Sequence, residues 1–469
     1  MYLIQFITFT LYIILPNNLS PFNAISIGLI GAGTVGGGVY EIIMNRLGGR
    51  VSSPGPSSSS PSDNDHIRRP IITKICVRDA SKPRNFHIDP AYTQIVTDVS
   101  SIINDKDIDI VVEVAGGTTF AKDAVYASLK MGKSVVTANK ALIAENLDEL
   151  ITLIHDVNNT SAVSFGYEAS VCGGIPIIHT LSGGCYKGDI INEIMGICNG
   201  TTNYMLGKME EGVDYNEVLK EAQALGFAEA DPTADVEGHD VRAKIAILAK
   251  LSFGTTVPVQ CIPCMGITNV SVIDFAYAKS MGCTIKLIGT ATRKSQFGEH
   301  DGALSVYVSP KLVPNDHPLA SATGCGNAVV VNSANLGTAL YTGPGAGRYP
   351  TANSIVADIM RVADNTCPLV PFPLSSSIEI DNDYESAFYI RISFQDGLGI
   401  VRKVGEVAES MGVSIHSILQ QPITDRMAAD TVVTTEACKL SQVQEFCSLI
   451  EKEDFVLCPP VYMPMIPEY

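Results

Sequence analysis

The regular pattern of the chain begins with an apolar run that leads directly into a glycine-rich turn. Residues 23–30 are mostly apolar, Gly31-Ala-Gly-Thr-Val-Gly36 follows, and a helical pattern continues at 39–44. This order of strand, tight turn and helix is typical of the first part of a nucleotide-binding α/β domain. Further apolar runs predict three strands and one helix, at 71–77, 108–114, 134–137 and 121–131 respectively. Strands that alternate with helices predict a doubly wound parallel sheet of the Rossmann type.

The pattern changes after about residue 161, where longer strand-like runs follow one another with helices between them. Strands of a second sheet are predicted at 162–165, 190–198, 284–291 and 302–308. This arrangement indicates a second, α+β domain. A glycine-rich segment, 341–350, then precedes a helix at 351–362, and a Pro/Ser-rich linker follows at 368–377.

The C-terminal part has a compact pattern of its own. Strands are predicted at 388–394, 414–419 and 431–435, with a short closing strand near 455–457, and helices at 400–411 and 440–452. In chain order these elements read β-α-β-β-α-β. That order predicts a small ferredoxin-like domain.

Two segments lie outside this pattern. Residues 48–69 are rich in Ser, Pro and Gly, a composition that cannot bury a core, so a disordered insertion is predicted. Residues 1–22 form an extension whose apolar run, 2–15, is too short to span a bilayer and lacks the basic residues of signal and transit peptides. We therefore expect no membrane association and a cytoplasmic location, with an organellar location as the alternative if the extension is a targeting segment.

Charge and cysteine usage narrow the class of protein. The 469 residues include 32 Lys and Arg against 49 Asp and Glu, a formal net charge of −17, which argues against a nucleic-acid partner. The 12 cysteines are scattered in apolar or Gly-rich contexts, as expected for free thiols in a reducing compartment. Cys261 and Cys264 have CxxC spacing without a second pair, so a turn is favoured over a metal site.

The stretch 226–244 contains the strongest candidate chemistry. Six acidic residues precede or surround one lysine, Lys244, and they are Glu221, Glu229, Asp231, Asp235, Glu237 and Asp240. Asp240 and Lys244 have the i,i+4 spacing that brings both onto one helix face. Because apolar residues 245–249 follow, we expect the helix to be largely buried, where a lysine is uncommon unless it is paired or functional. A solvated surface ion pair is the alternative.

The glycine-rich turn forms the candidate cofactor site. Gly31, Gly33 and Gly36 have the spacing that lets the backbone approach a pyrophosphate at a helix N-terminus. Arg78 and then Asp79 follow the second predicted strand. An arginine there can hold a 2′-phosphate, so NADP(H) is favoured, while the adjacent carboxylate leaves NAD(H) possible.

Six segments, met in order along the chain, resemble the motifs of homoserine dehydrogenases. They are Gly28–Val39, Thr137–Leu142, Tyr167–Pro176, Asn199–Leu206, Gly226–Lys244 and Gly343–Ala352. This resemblance covers roughly residues 24–370. The tail, with the turn Asp396-Gly-Leu-Gly399, resembles an ACT regulatory domain. The predicted parts are an extension (1–22), a nucleotide-binding domain (23–160), a substrate-binding and catalytic domain (161–340), a return segment completing the nucleotide-binding domain (341–370), a linker (371–383) and the ACT domain (384–469).

The resemblance implies reversible hydride transfer between NAD(P)H and L-aspartate 4-semialdehyde, giving L-homoserine. In that reaction Lys244 would be the proton donor or acceptor, and we expect burial to lower its pKa towards neutrality. Asp240 would orient Lys244 and help hold the substrate. Glu229 would bind the substrate ammonium, with Asp235 in the same pocket. Lys140 would stabilise charge on the carbonyl oxygen or contact the cofactor, the alternative being an ordinary lysine at a strand end.

Further site residues follow from the same resemblance. The substrate carboxylate is expected at Thr201, Thr202 and Asn203, although these residues could equally cap the following helix. Cofactor contacts are expected, besides the three glycines and Arg78, from Thr34, Val35, Thr118, Lys140 and Gly347. A monovalent cation, Na⁺ or K⁺, is expected at Glu168 and the carbonyl oxygens of Val171, Gly173 and Ile175.

The resemblance also implies regulation and assembly. Threonine is the expected effector of the ACT domain, and a homodimer formed through the second sheet, or a homotetramer, is the expected assembly. Two other hypotheses are disfavoured, because the segments Asn199–Leu206 and Gly226–Lys244 argue against the first, and the presence of both Lys244 and Asp240 argues against the second. One is a different two-domain NAD(P) oxidoreductase acting on an amino-acid-like substrate, and the other is a non-catalytic amino-acid sensor that has kept cofactor binding.

Overall fold

The computed structural model describes residues 24–47, 69–294, 302–373, 376, 378–423 and 425–467. The predictions for the N-terminal extension and for nearly all of the Ser/Pro-rich insertion lie outside these residues. The chain divides into two compact units. The first unit contains Met1–Pro176 and Ala346–Phe372, and the second contains Ile177–Gly345 and Pro373–Tyr469.

The first unit is built on a six-stranded parallel sheet. Its strands are β1 (Ala24–Ile30), β2 (Arg69–Cys76), β3 (Gln94–Val96), β4 (Ile110–Glu113), β5 (Ser134–Thr137) and β6 (Phe165–Gly166). Its helices are α1 (Thr34–Tyr40, continued by a π-helix, Glu41–Leu47), α2 (Ser100–Ile103), α3 (Phe120–Lys130), α4 (Lys140–Glu145) and α5 (Leu147–Asn158). The strand order is β3-β2-β1-β4-β5-β6. This order confirms the predicted Rossmann-type sheet and puts its topological switch point between β1 and β4.

Burial on both faces explains why these strands are nearly continuous apolar runs. Ile27, Leu29 and Val112 are completely buried in one core cluster. The returning segment adds α12 (Arg348–Ala363), whose Ile355 and Ile359 are also completely buried in this cluster. The C-terminal part of the first unit therefore contributes to the same core as its N-terminal strands.

The strand predicted at 162–165 as part of the second sheet is wrong in its assignment. The structure has β6 at Phe165–Gly166, where it pairs in parallel with β5 and closes the first sheet. Phe165 packs against Tyr167 and Phe372, with ring centroids 5.7 Å and 6.3 Å away. Aromatic packing thus holds β6 in the first unit. The strand has only two residues, too few for the sequence pattern to show which sheet it joins.

The second unit begins with a five-stranded antiparallel sheet flanked by helices. The strands are β7 (Ile191–Ile197), β8 (Cys283–Arg293), β9 (Leu304–Pro314), β10 (Gly326–Ser333) and β11 (Gly337–Pro344), in the order β11-β10-β7-β8-β9. The helices are α6 (Ile177–Ser182), α7 (Gly200–Glu210), α8 (Tyr215–Ala224), α9 (Thr233–Val236), α10 (His239–Phe253) and α11 (Val272–Ser280). Helix α10 lies so close to β8 that a Cβ at Gly289 would come within 2.9 Å of Val241.

Residues 385–465, here called the C-terminal module, belong to the same unit. Its elements are β12 (Glu385–Phe394), α13 (Ile400–Ser410), β13 (Ile415–Gln420), β14 (Ala429–Thr435), β15 (Cys438–Lys439), α14 (Leu440–Ile450) and β16 (Val461–Met465). The main strands run in the order β16-β12-β14-β13. The predicted β-α-β-β-α-β order is present, but the closing strand predicted near 455–457 is wrong. Only an isolated bridge, Val456 to Phe394, forms there. The closing strand is β16, whose residues Val461–Met465 pair with β12.

Backbone and side-chain contacts join the C-terminal module to the rest of the second unit. Strand β16 pairs with β9 at Met465 and Leu312, so the sheet is continuous. The carboxylate of Asp274 on α11, which is fully buried, accepts hydrogen bonds of 2.7 Å from Tyr389 and from Arg391. No helix among the described residues combines the length and apolar character needed to cross a bilayer.

Candidate active site

A buried ion pair on α10 lies at the centre of the candidate active site. Gly238, with φ of 80°, gives the chain the left-handed turn that starts the helix. One turn along the helix, Lys244 Nζ donates to Asp240 Oδ2 at 2.7 Å and to the carbonyl oxygen of Cys198 at 2.6 Å. Lys244 and Asp240 are each only 8% exposed. The i,i+4 pairing and the burial of this helix are both as predicted, so the solvated surface pair is excluded.

Asn199 connects this ion pair to a second carboxylate. Its Nδ2 donates to Asp240 Oδ2 at 2.8 Å and to Asp235 Oδ1 at 2.7 Å. Its Oδ1 accepts from the backbone N–H of Thr202 at 2.8 Å, which makes Asn199 the N-cap of α7. One amide side chain therefore starts a helix and also holds two carboxylates near a lysine.

Sequence reasoning missed Asn199 as a site residue. The available signal was an Asn immediately before a helical run, which is a favoured N-cap. That signal predicts a cap and carries no information about the two carboxylates that the other end of the amide contacts.

The three residues expected at the substrate carboxylate lie buried at the start of α7. The hydroxyl of Thr201 donates to Phe227 O at 2.8 Å, and the hydroxyl of Thr202 donates to Asn199 Oδ1 at 3.1 Å. Asn203 Nδ2 donates to Ala322 O and Gly326 O at 3.2 and 3.1 Å. These bonds hold the first turn of α7 to neighbouring loops, so a role in substrate binding stays a prediction.

The remaining acids of the stretch differ in exposure. Asp235, on α9, is half-buried and is joined to the ion pair through Asn199. Glu229 is exposed, and its backbone carbonyl accepts from Gln223 at 3.1 Å. The carboxylate of Asp231 accepts from Thr233 at the start of α9, and these bonds lower its pKa. Asp240 thus contacts Lys244 directly, and Asp235 is linked to the same pair through Asn199. Asp231 stabilises only the turn at the start of α9.

The predicted nucleotide loop has the geometry of a phosphate cradle. Gly31, at the carboxyl end of β1, has φ of 107°, and a Cβ at Gly36 would lie 2.2 Å from the Gly31 carbonyl oxygen. A side chain at either position would therefore disrupt the turn. Gly33 is exposed and a Cβ there would meet nothing within 4 Å, so a ligand can approach this backbone. Thr34 and Val35 begin α1. These features fit a dinucleotide pyrophosphate.

The residues after β2 differ in where their side chains point. Arg78 is exposed just beyond the carboxyl end of the strand. The Asp79 carboxylate accepts from the backbone and hydroxyl of Ser81 at 2.8 and 2.6 Å, and these hydrogen bonds lower its pKa. The Asp79 carboxylate is thus engaged in its own turn, and Arg78 is the exposed cation that directly precedes it.

The other residues expected at the cofactor lie on loops of the first unit. Thr118 is half-buried in the β4–α3 loop, and Lys140 is half-buried as the first residue of α4. Gly347 is exposed, has φ of 126°, and precedes α12. Thr118 and Lys140 thus follow the carboxyl ends of adjacent strands, β4 and β5.

The segment expected to bind a monovalent cation is buried in the first unit. Glu168 is 1% exposed and its backbone N–H donates to Asp358 Oδ2 at 2.8 Å. Val171, Gly173 and Ile175 are also buried, and the carbonyl oxygen of Gly173 accepts from Ser354 at 2.6 Å. Among the described residues, no group of three or more His, Cys, Asp or Glu side chains is arranged to hold a metal ion.

Comparison with known proteins agrees with this geometry. The family model for homoserine dehydrogenase matches residues 176–360, and the model for the homoserine dehydrogenase NAD-binding domain matches residues 31–163. The homoserine dehydrogenase of Synechocystis is 39% identical over 87% of this chain and 92% of its own length. That of Bacillus subtilis is 38% identical over 88% of this chain and 91% of its own length.

Solved structures give the same result. A homoserine dehydrogenase from Thiobacillus denitrificans superposes with a TM-score of 0.81 at 29% identity, covering 94% of this chain and 98% of that one. A hyperthermophilic archaeal homoserine dehydrogenase in complex with NADPH superposes with a TM-score of 0.55 at 25% identity, covering 73% of this chain and 98% of that one.

The parallel sheet and its glycine loop, together with the two matched family models and the curated relatives, define an NAD(P)-dependent oxidoreductase that acts on a CH–OH group. The chain belongs to the homoserine dehydrogenase family, by family models and by relatives that match it over most of its length.

Replacement of Asn199 by Asp tests its bridging role. The new carboxylate keeps the oxygen that caps α7, but it loses the N–H donors to Asp235 and Asp240 and places a third carboxylate beside them. We expect the free energy of unfolding to fall by about 2 kcal/mol near pH 7. The loss should shrink as the pH falls towards 5, since neighbouring carboxylates raise the pKa of the new carboxyl, which then takes up a proton on folding. Urea unfolding at both pH values measures the difference.

The exposed Asn216, at the start of α8, provides the matched control. Asn216→Asp should change stability by less than about 0.5 kcal/mol at either pH. If Asn199→Asp behaves like this control, the bridging role of Asn199 is contradicted.

Proposed function

We propose that this chain catalyses the reversible NAD(P)H-dependent reduction of L-aspartate 4-semialdehyde to L-homoserine with Lys244 as the proton-transfer group. The observation that carries the proposal is the buried pair of Lys244 and Asp240, with Asn199 bridging to Asp235. A nicotinamide cofactor, when bound, supplies the hydride. What the chain must then supply is a proton for the developing alkoxide and anchors for a polar substrate.

Lys244 suits proton transfer because its ammonium is held in one place. Two of its N–H groups are directed at Asp240 Oδ2 and at the Cys198 carbonyl, which lies on the turn before α7. A buried ammonium beside a carboxylate can release a proton to an alkoxide and recover it in the reverse direction. Asp240 orients the lysine and balances its charge.

The other acids and the helix start would hold the substrate. The exposed Glu229 would bind the α-ammonium group, and Asp235 contributes a carboxylate joined to the ion pair. The α-carboxylate would lie near the first turn of α7, at Thr201, Thr202 and Asn203. Lys140 would stabilise charge on the carbonyl oxygen or contact the cofactor.

Two substitutions of Lys244 test this proposal. Lys244→Ala should lower kcat for homoserine oxidation by about 100-fold or more, because the proton acceptor is lost. Lys244→Arg should be impaired as well, since a guanidinium keeps the charge but does not deprotonate near neutral pH. Steady-state turnover of L-homoserine with NADP⁺ and with NAD⁺ measures both effects.

Lys208→Ala is the matched control, since Lys208 forms an exposed ion pair with Glu211 at 2.7 Å in the same unit. This variant should keep wild-type turnover. Retention of most activity by Lys244→Arg would contradict the proton-transfer role. Absence of turnover by folded wild-type enzyme that still binds NADPH would favour the sensor hypothesis.

We infer that NADP(H) is the preferred cofactor. Arg78 is exposed at the end of β2, where an adenosine ribose is expected, while the neighbouring Asp79 carboxylate is engaged with Ser81. A guanidinium can pair with a 2′-phosphate, which NAD(H) lacks.

Arg78→Ala should therefore raise KM for NADP⁺ by about tenfold and leave KM for NAD⁺ within about twofold. Lys82→Ala, a charge removal at an exposed position in the same loop, is the control and should change neither constant by more than about twofold. Equal losses with the two cofactors would contradict 2′-phosphate recognition by Arg78.

We also propose a monovalent cation, Na⁺ or K⁺, at Glu168 and the carbonyls of Val171, Gly173 and Ile175, and a homodimer or homotetramer. Burial of this oxygen-rich segment supports the cation. Activity in Na⁺, K⁺ or choline chloride, and sedimentation of the purified enzyme, test these two points.

We further propose that the C-terminal module is an ACT domain that binds threonine and inhibits the enzyme. Its β-α-β-β-α-β order and the turn 396–399, where Leu398 is fully exposed, support this assignment. Deletion of the module is a poor test, because β16 pairs with β9 and the buried Phe388 of β12 belongs to the same core cluster as Tyr307.

A substitution in the turn is the sharper test. Asp396→Ala should raise the threonine concentration for half-inhibition by about tenfold while kcat stays unchanged, because the turn is remote in sequence from the catalytic pair. Asp454→Ala, at an exposed position of the same module, should leave inhibition intact. Wild-type enzyme that threonine does not inhibit would contradict the effector, and unchanged inhibition in Asp396→Ala would contradict this turn as its site.

A further inference from the structure

A buried carboxylate at the end of β4 has no part in the function described so far. Glu113 is the last residue of β4 and is completely buried. Its Oε1 accepts from the backbone N–H groups of Ala115 and Gly116, each at 2.9 Å. Its Oε2 accepts from the hydroxyl of Thr137 at 2.6 Å. Bonds to an ionised acceptor are among the stronger hydrogen bonds, and they offset the cost of burying the charge.

The bonds continue into the next loop. Thr137, the last residue of β5 and the register partner of Glu113, accepts from the backbone N–H of Asn139 at 3.0 Å. Asn139 in turn donates from Nδ2 to Gly117 O at 2.7 Å, and its Oδ1 accepts from Leu142 N at 3.1 Å. The chain of bonds thus leaves β4, crosses to β5 and returns to the β4 loop.

Without these bonds the β4 loop has little to hold it. Gly116 and Gly117 both have positive φ, 74° and 85°, and a Cβ at either would meet nothing within 4 Å. The two residues are exposed and their conformation comes from hydrogen bonding, because their surroundings offer no packing. Glu113 supplies two of these bonds directly and, through Thr137 and Asn139, orients a third.

The β4 loop, which this network holds, lies beside the candidate cofactor site. The switch point of the sheet lies between β1 and β4, and a Cβ at Gly31 would meet the Val114 carbonyl oxygen at 2.8 Å. The β4 loop is thus in contact with the nucleotide loop. Dinucleotides bind across such a crevice. Since Arg78 and β2 lie on the adenosine side of β1, β4 and β5 lie on the nicotinamide side.

We propose that Glu113 is a positioning residue for the nicotinamide half of the cofactor. It fixes the backbone of Ala115–Gly117 and, through Asn139, the start of α4, where Lys140 is the first residue. Thr118 follows directly on the fixed loop. This inference rests on the proposed cofactor site, and it adds a residue that acts from beneath the loops without touching the ligand.

The test compares two ligands on one variant. Glu113→Gln keeps the side-chain size but removes the charge and turns one acceptor oxygen into a donor facing N–H or O–H groups. We expect the Kd for NADPH to rise by about tenfold or more. The Kd for 2′-phospho-ADP-ribose, which lacks nicotinamide, should stay within about twofold. Calorimetric titration of the full-length protein gives both constants.

Thr137→Val and Arg78→Ala complete the experiment. Thr137→Val removes one donor to Glu113 at similar volume, so it should weaken NADPH selectively, but less than Glu113→Gln does. Arg78→Ala should weaken the binding of both ligands, in contrast to Glu113→Gln, which should weaken the binding of NADPH alone. Failure of wild-type protein to bind either ligand contradicts the cofactor site itself. Binding by wild type together with equal changes for both ligands in Glu113→Gln, or no change for either, overturns the positioning role.

Discussion

The candidate active site depends on the burial of one ammonium group. Lys244 and Asp240 are each 8% exposed on a helix whose next residues, Ile245 to Leu248, are almost completely buried. An ionised pair in such surroundings is stable only when its remaining donors and acceptors are satisfied. The Cys198 carbonyl and the Asn199 amide do this, and both belong to the turn between β7 and α7. The charge therefore fixes α10 and that turn relative to each other, which is the rigidity that a proton-transfer site needs.

In the first unit the comparable constraint is that two loops of the candidate cofactor site must keep a particular backbone conformation. Its loops at the carboxyl ends of β1 and β4 contain glycines at positive φ, and the exposed glycines of these loops provide little packing. Such loops keep their conformation only if hydrogen bonds or close backbone contacts beneath them stabilise it. At β1 this is the close contact between Gly36 and Gly31, and at β4 it is the carboxylate of Glu113. The Glu113 carboxylate lies below the surface that a dinucleotide would touch, whereas Gly31 and Gly36 are themselves among the expected cofactor contacts.

Much of this could be predicted from sequence, and the failures have identifiable causes. The apolar strands β1, β2, β4 and β5 of the parallel sheet and the i,i+4 pair on α10 were predictable because periodicity and burial determine them. Strand β6 was assigned to the wrong sheet because two residues carry no periodic signal and the aromatic contacts that retain them are distant in sequence. The closing strand was misplaced because Pro464 interrupts the apolar pattern of β16. The bridging of two carboxylates by Asn199 is a tertiary contact that no local pattern encodes.

The continuous sheet of the second unit limits how an effector could act. A module joined to the rest by a flexible linker alone could move as a rigid body, but β16 is paired with β9 and the fully buried Asp274 binds Tyr389 and Arg391. Separating them would leave a buried charge unpaired, which is strongly unfavourable. Under the proposed threonine regulation, any shift would therefore be small and would be transmitted through packed elements. Asp274 lies on α11, α11 packs against α7, and α7 begins at the Asn199 cap beside the pair of Lys244 and Asp240. Under the same proposal, a displacement of α11 would reach the turn that orients Lys244 through α7.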